Sequence, residues 1–164
     1  MSEMEKLAAS MKLKRDGAEA NAKAINTARE EKIGQWVESL NKLFDDIENW
    51  LEPLTQNGLA QFNRGLASIT EKPTPTLEVT YKAPVLPMSI NGLAARIQPK
   101  GLYNIGSDGV VEFLAREKQY LFTRHVGSDV EWVLRDKAGP KGNGVPLTQD
   151  SLAGAISHYL EGLK

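Results

Sequence analysis

The sequence predicts an α+β protein: an N-terminal helical hairpin packed on a twisted antiparallel β-meander of five to seven strands, with a C-terminal helix. Three observations carry this expectation. Ile33, Trp36, Leu40, Leu43, Ile47, Trp50 and Leu54 recur at alternating steps of three and four, the period of one helix face. After the proline-rich stretch Lys72-Pro73-Thr74-Pro75-Thr76 the period becomes two, with Leu77, Val79 and Tyr81 alternating with Glu78, Thr80 and Lys82, as in a strand with one buried face. Turn signals then recur at regular intervals until Thr148, beyond which helical spacing returns.

Residues 1–30 are expected to be an exposed or frayed helical extension. The alanines and charged residues of 18–28 favour helix but offer little to bury, and Gly17 is expected to separate them from the first residues. Residues 31–72 read as an amphipathic helical hairpin. Val37, Phe44 and Leu51 widen the seam into a core-facing stripe. At roughly 1.5–3 kcal/mol per large side chain, these ten residues represent about 15–30 kcal/mol of gross burial, so something must cover the helix. Pro53 restricts Glu52 and should stop the seam helix near Leu51. Gln56-Asn57-Gly58 reads as a turn, and Leu59, Phe62, Leu66 and Ile69 as the stripe of a second helix.

Residues 73–164 should form the meander and the last helix, with 31–164 one globular domain. Asn91-Gly92 is the strongest hairpin signal, because both residues accept the positive φ of a type I′ turn. Gly106-Ser107-Asp108-Gly109, Arg116-Glu117-Lys118 and Gly127-Ser128-Asp129 separate apolar runs at 110–114, 120–126 and 130–135. One sheet face should collect Val79, Tyr81, Ile97, Phe122, Trp132 and Leu134, and the other Arg96, His125, Glu131 and Arg135. Thr148 should cap a helix that buries Leu152, Ile156, Tyr159 or Leu160, and Leu163. The order of long helix then meander is similar to the cystatin-like arrangement, and a helix-flanked sheet on a small acidic protein resembles secretion chaperones. Fold order alone licenses no function.

The 20 basic and 21 acidic residues among 164 nearly cancel, and between Pro73 and Asp136 they are equal in number. No long-range field toward nucleic acid follows. The seam helix is the exception, with Glu38, Asp45, Asp46, Glu48 and Glu52 around a single Lys42. Without cysteine there is no disulfide, thiolate nucleophile or cysteine-ligated zinc site. The charged first residues lack the apolar run of an export signal, and no stretch approaches the roughly 18 apolar residues of a membrane helix. A cytoplasmic protein without a membrane partner is the expectation.

Chemistry-bearing residues are few. His125 and His158 show no ligand spacing such as H-E-x-x-H, so neither a metal nor another cofactor is expected. Ser107, Asp108 and His125 can be drawn as a triad, but there is no G-x-S-x-G elbow. Glu112, Asp129 and Glu131 read as solvated strand and turn residues rather than an acid–base pair. The stretch around Gly139-Pro140-Lys141-Gly142 reverses the order of a phosphate loop, with Pro146 intervening before Thr148, and reads as a flexible loop. It could still close over a ligand or meet a partner.

Abundant packing surface beside scarce chemistry points to a non-catalytic protein-binding or adaptor module, able to self-associate through the seam helix. The candidate partner-binding residues are Trp36, Leu43, Trp50, Arg96, Arg124, His125, Arg135 and Lys141, the tryptophans as interface anchors. One alternative is a small-molecule binder or enzyme with a pocket between sheet and helices, under the glycine-rich loop. Another is nucleic-acid binding across the open sheet face by Arg96, Lys100, Arg116, Lys118, Arg124, Arg135 and Lys141. The interleaved acids disfavour it.

Overall fold

The computed structural model describes residues 2–103, 106–115, 118–136 and 144–161. The chain divides into two compact units, Met1–Gln35 and Trp36–Lys164. Helix α1 (Glu3–Trp50) runs through the first unit from Glu3 onward and opens the second. Gly17, expected as a boundary, lies inside it. A single glycine costs about 1 kcal/mol relative to alanine, and the helix-favouring residues on both sides carry the helix through it. Helix α1 ends at Trp50 as Pro53 requires, and the proline sits in the first turn of the short α2 (Glu52–Gln56).

The second helix of the expected hairpin is absent. Beyond the single turn of α2, residues of 59–69 enter β1 (Ala60–Phe62) and β2 (Gly65–Thr74). Burial in β2 alternates with period two, and Leu66 is 73% exposed where a core-facing helix would bury it. Pairing with β3 (Leu77–Ile90) decides the outcome over local spacing. The pairs Ala60 with Ile90 and Gly65 with Val85 share one register. β1 and β2 are therefore two stretches of one edge strand, interrupted at Asn63-Arg64. At the break Arg64 reaches α1, donating to Asp45 at 2.8 Å and to Glu48, with its guanidinium over the Phe44 ring. The proline-rich stretch is correspondingly the end of β2 and the turn into β3, and Pro73, without an N–H, is accommodated in the edge strand.

The sheet continues antiparallel through β4 (Leu93–Gly101), β5 (Val110–Ala115), β6 (Lys118–Val126), β7 (Val130–Asp136) and the two-residue β8 (Val145–Pro146). Its order is β1-β3-β4-β5-β6-β7-β8, with β2 also on β3, a meander of seven to eight strands where five to seven were expected. Asn91 (φ 51°) and Gly92 (φ 82°) turn β3 into β4 as their residue types require.

Leu86, Ile97, Phe113 and Phe122 are fully buried on one sheet face, and Trp36, Leu40, Phe44 and Ile47 of α1 are equally buried. Trp36 packs against Trp132 of β7 with ring centroids 6.0 Å apart. The seam in the second unit therefore roofs its own sheet. Helix α3 (Gln149–Glu161) buries Leu152, Ala155 and Ile156. Thr148 caps it reciprocally: its Oγ1 accepts from the Ser151 N–H at 3.1 Å, and its N–H donates to Ser151 Oγ at 2.8 Å. Leu163 and the side chain of Tyr159 lie outside the described residues, as do residues 137–143.

Candidate functional site

The sequence candidates fall into three groups. Trp36 and Leu43 are buried in the roof, and self-association through this seam is not available to them in the folded second unit. Trp36 Nε1 donates to Tyr81 Oη at 3.1 Å, and the Tyr81 hydroxyl donates to Glu71. The Glu71 carboxylate also accepts the Leu102 N–H at 2.9 Å and the Tyr103 N–H at 3.0 Å. This chain ties α1 to β3, to β2 and to the segment after β4. Burial, with help from Glu71, pushes the Tyr81 hydroxyl pKa well above the usual tyrosine range. Glu71 escaped the sequence reading because its inward position shows only once 65–74 is read as a strand.

Arg124 shares this roofed side, although it was grouped with the open-face cations. In β6 it is paired with Trp132 and lies two residues from buried Phe122, and alternation places all three on one face. Its guanidinium lies 4.9 Å from the Trp36 ring centroid, Nε donates to the Asp108 carbonyl at 2.9 Å, and Nη1 donates to Ser39 Oγ at 2.9 Å. Burial lowers its pKa, opposed by the Asp108 charge. The 106–109 turn is fastened to α1 in this way, and Gly109 abuts Trp36 so closely that an added Cβ would lie 2.3 Å from the ring.

Arg96, His125 and Arg135 stand on the opposite face, as expected. There Glu112 accepts from the side chains of Gln98 at 2.7 Å and Gln119 at 2.9 Å, while Thr123 Oγ1 meets His125 Nε2 at 3.0 Å and accepts from Arg135 Nε at 3.3 Å. The carboxylate is engaged by neutral amides, an arrangement suited to holding strands together. Lys141 lies outside the described residues. Among the described residues no group of three or more His, Asp or Glu could hold a metal ion.

Trp50 leads elsewhere. Past the roof, at the end of α1, it is half-buried and lines an open groove of about 470 Å³ within the second unit. Helix α1 ends at Trp50, and the chain turns through α2 into β1. Leu54, Leu59, Ile90 and Ile156 supply the apolar walls, with Asn91, Gln149 and Asp150 also lining the groove. Gln149 donates to the Trp50 carbonyl at 3.2 Å, fixing the start of α3 to the end of α1. Leu59 remains 44% exposed although it follows directly from the turn and precedes a strand. Sequence reasoning reached Trp50 but not its meeting with Ile90 and Ile156, which come from two segments distant in the chain.

No protein-family model, curated protein or solved structure matches the chain. Among the described residues, no helix is long and apolar enough to cross a membrane.

Proposed function

We propose that the protein is a non-catalytic binding module whose groove at Trp50, Leu54 and Leu59 receives apolar side chains of a partner protein. The observation that carries this reading is the open apolar groove itself, where Leu59 stays exposed and Trp50 and Leu54 half-buried beside a helix end already fixed by Gln149. Apolar anchors entering a groove with a polar rim are a common way for helices and extended segments to bind. Trp50 belongs to the residue types that dominate such contacts.

A second reading is favoured by the volume. About 470 Å³ lies within the range of small-molecule sites, roughly 300–1,000 Å³, so an apolar small molecule could occupy the same walls. One experiment separates the two. A photoreactive benzoylphenylalanine placed at Leu59 is irradiated in cells that naturally express the protein. Partner binding gives one adduct of fixed protein mass, abolished by Leu54→Asp with the melting temperature unchanged. A small-molecule site gives an adduct of a few hundred daltons. No adduct, or a mixture unaffected by Leu54→Asp, removes the groove from consideration.

A further inference from the structure

Three Asn-Gly pairs occur in the chain, at Asn57-Gly58, Asn91-Gly92 and Asn143-Gly144. Such a pair is chemically labile. With no side chain in the way, the glycine nitrogen can reach the asparagine Cγ and close a cyclic imide, provided that the nitrogen and the carboxamide are both free. Asn143 lies outside the described residues, and the other two pairs stand in opposite situations.

At Asn57-Gly58 both reacting groups are held. Asn57 Nδ2 donates to the Pro53 carbonyl at 2.6 Å and the Gly58 N–H to the Thr55 carbonyl at 3.1 Å, closing the end of α2. At Asn91-Gly92 neither is held. Both residues are exposed, and among the described residues the Asn91 carboxamide, the Asn91 carbonyl and the Gly92 N–H have no hydrogen-bond partner. Nothing lies within 4 Å of a Cβ placed on Gly92, so water and hydroxide have access. The φ values of 51° and 82° are those of a type I′ turn, which points the Gly92 nitrogen away from Cγ. Rotating the 91–92 peptide plane gives type II′, the other two-residue hairpin turn, and swings the nitrogen toward Cγ. This rotation breaks no hydrogen bond and leaves β3 paired with β4; Asn91 only passes through a conformation that favours glycine. The same rotation at Asn57-Gly58 would break the bond from Gly58 to Thr55.

We propose that Asn91 is a site of spontaneous modification in the folded protein, converted to aspartate and isoaspartate, while Asn57 is protected. Base removes the Gly92 amide proton, and the nitrogen attacks Asn91 Cγ. The Cγ–Nδ2 bond breaks and ammonia leaves, giving the cyclic imide. Water then adds to one of the two imide carbonyl carbons that Asn91 contributes. Opening at Cγ leaves aspartate; opening at the backbone carbon leaves isoaspartate, with the chain running through the former side chain. One water is consumed and one ammonia released, with no oxidant or reductant. Either product places a carboxylate in the groove wall that Asn91 shares with Asp150. Isoaspartate also lengthens the tight turn whose Asn91 N–H holds the Leu59 carbonyl at 2.6 Å. The chemistry does not depend on what the groove binds.

The test is peptide mapping of the full chain after incubation at neutral and at mildly alkaline pH, with a folded and a guanidinium-unfolded sample side by side. Deamidation is read by mass, and isoaspartate by labelling with an isoaspartyl methyltransferase. The unfolded chain should convert at both Asn57 and Asn91. The folded chain should convert at Asn91, more slowly than the unfolded chain and faster at the higher pH, and keep Asn57 intact. Asn91→Gln, which has a larger ring to close, should lose the label in its peptide. A folded chain that keeps Asn91 intact while the unfolded chain converts fully overturns the proposal. So does folded-state conversion of Asn57 at the rate of Asn91, or a label in that peptide that survives Asn91→Gln.

Discussion

Replacing Gly109 by alanine tests the packing of α1 on the sheet at its tightest point. The residue has φ 138°, in the region that favours glycine, and its added Cβ would lie 2.3, 2.6 and 2.8 Å from three atoms of the Trp36 ring. The backbone strain costs about 1–3 kcal/mol, and forcing the ring of a fully buried tryptophan aside costs about 1–3 kcal/mol more. The expected loss is about 2–6 kcal/mol, a fall in melting temperature of roughly 10–20 °C for a unit of this size. Gly106→Ala is the control: φ is 90°, but nothing lies within 4 Å of its Cβ, so only the backbone part should appear. Thermal and urea unfolding of both variants give the difference. Adding Trp36→Leu to Gly109→Ala should recover part of the steric loss, seen as a coupling in the double-mutant cycle. Equal effects of Gly109→Ala and Gly106→Ala, with no coupling to Trp36, would refute the packing of Trp36 on this turn.

Four further variants have expected outcomes. Tyr81→Phe leaves Trp36 Nε1 without its acceptor and should cost about 1–3 kcal/mol in urea unfolding. Because the folded Tyr81 pKa is raised, the unfolded tyrosine ionises first as pH climbs past about 10, so stability present below that pH is lost above it; Tyr81→Phe should flatten this alkaline decline. Arg124→Met keeps a side chain over Trp36 but leaves Ser39 and the Asp108 carbonyl without their donor, and should lower stability by about 1–3 kcal/mol. Thr148→Ala removes the cap of α3 at a cost of about 1 kcal/mol, visible as faster amide exchange at Ser151. Leu66→Ser, at a 73% exposed strand position, should change the unfolding free energy by less than about 0.5 kcal/mol, whereas a core-facing helix at 59–69 would lose several times that.

What the sequence reveals here is what its neighbours in the chain decide. The roof helix, its end before Pro53, the Asn91-Gly92 turn and the Thr148 cap all depend on residues within a few positions, and each is where local chemistry puts it. The 59–69 segment is different. Its inward strand positions are Gly65, Ala67, Ile69 and Glu71, a weak apolar pattern, while Leu66 faces out and imitates a helix period. Only pairing with β3, some ten to thirty residues away, makes it a strand. Arg124 could have been placed on the roofed face from the sequence, since it lies two residues from Phe122 in the same strand. The groove could not, because Ile90 and Ile156 lie far from Trp50 and Leu59 in the chain and meet them only in the folded second unit.

The account makes α1 from Trp36 onward the roof of its own sheet rather than an interface. Absolute mass by light scattering, for a chain beginning at Glu31, tests this most directly. A single copy at every concentration is the expected result. A concentration-independent dimer that Leu59→Asp leaves intact would contradict the assignment, because it would place an interface on the roof.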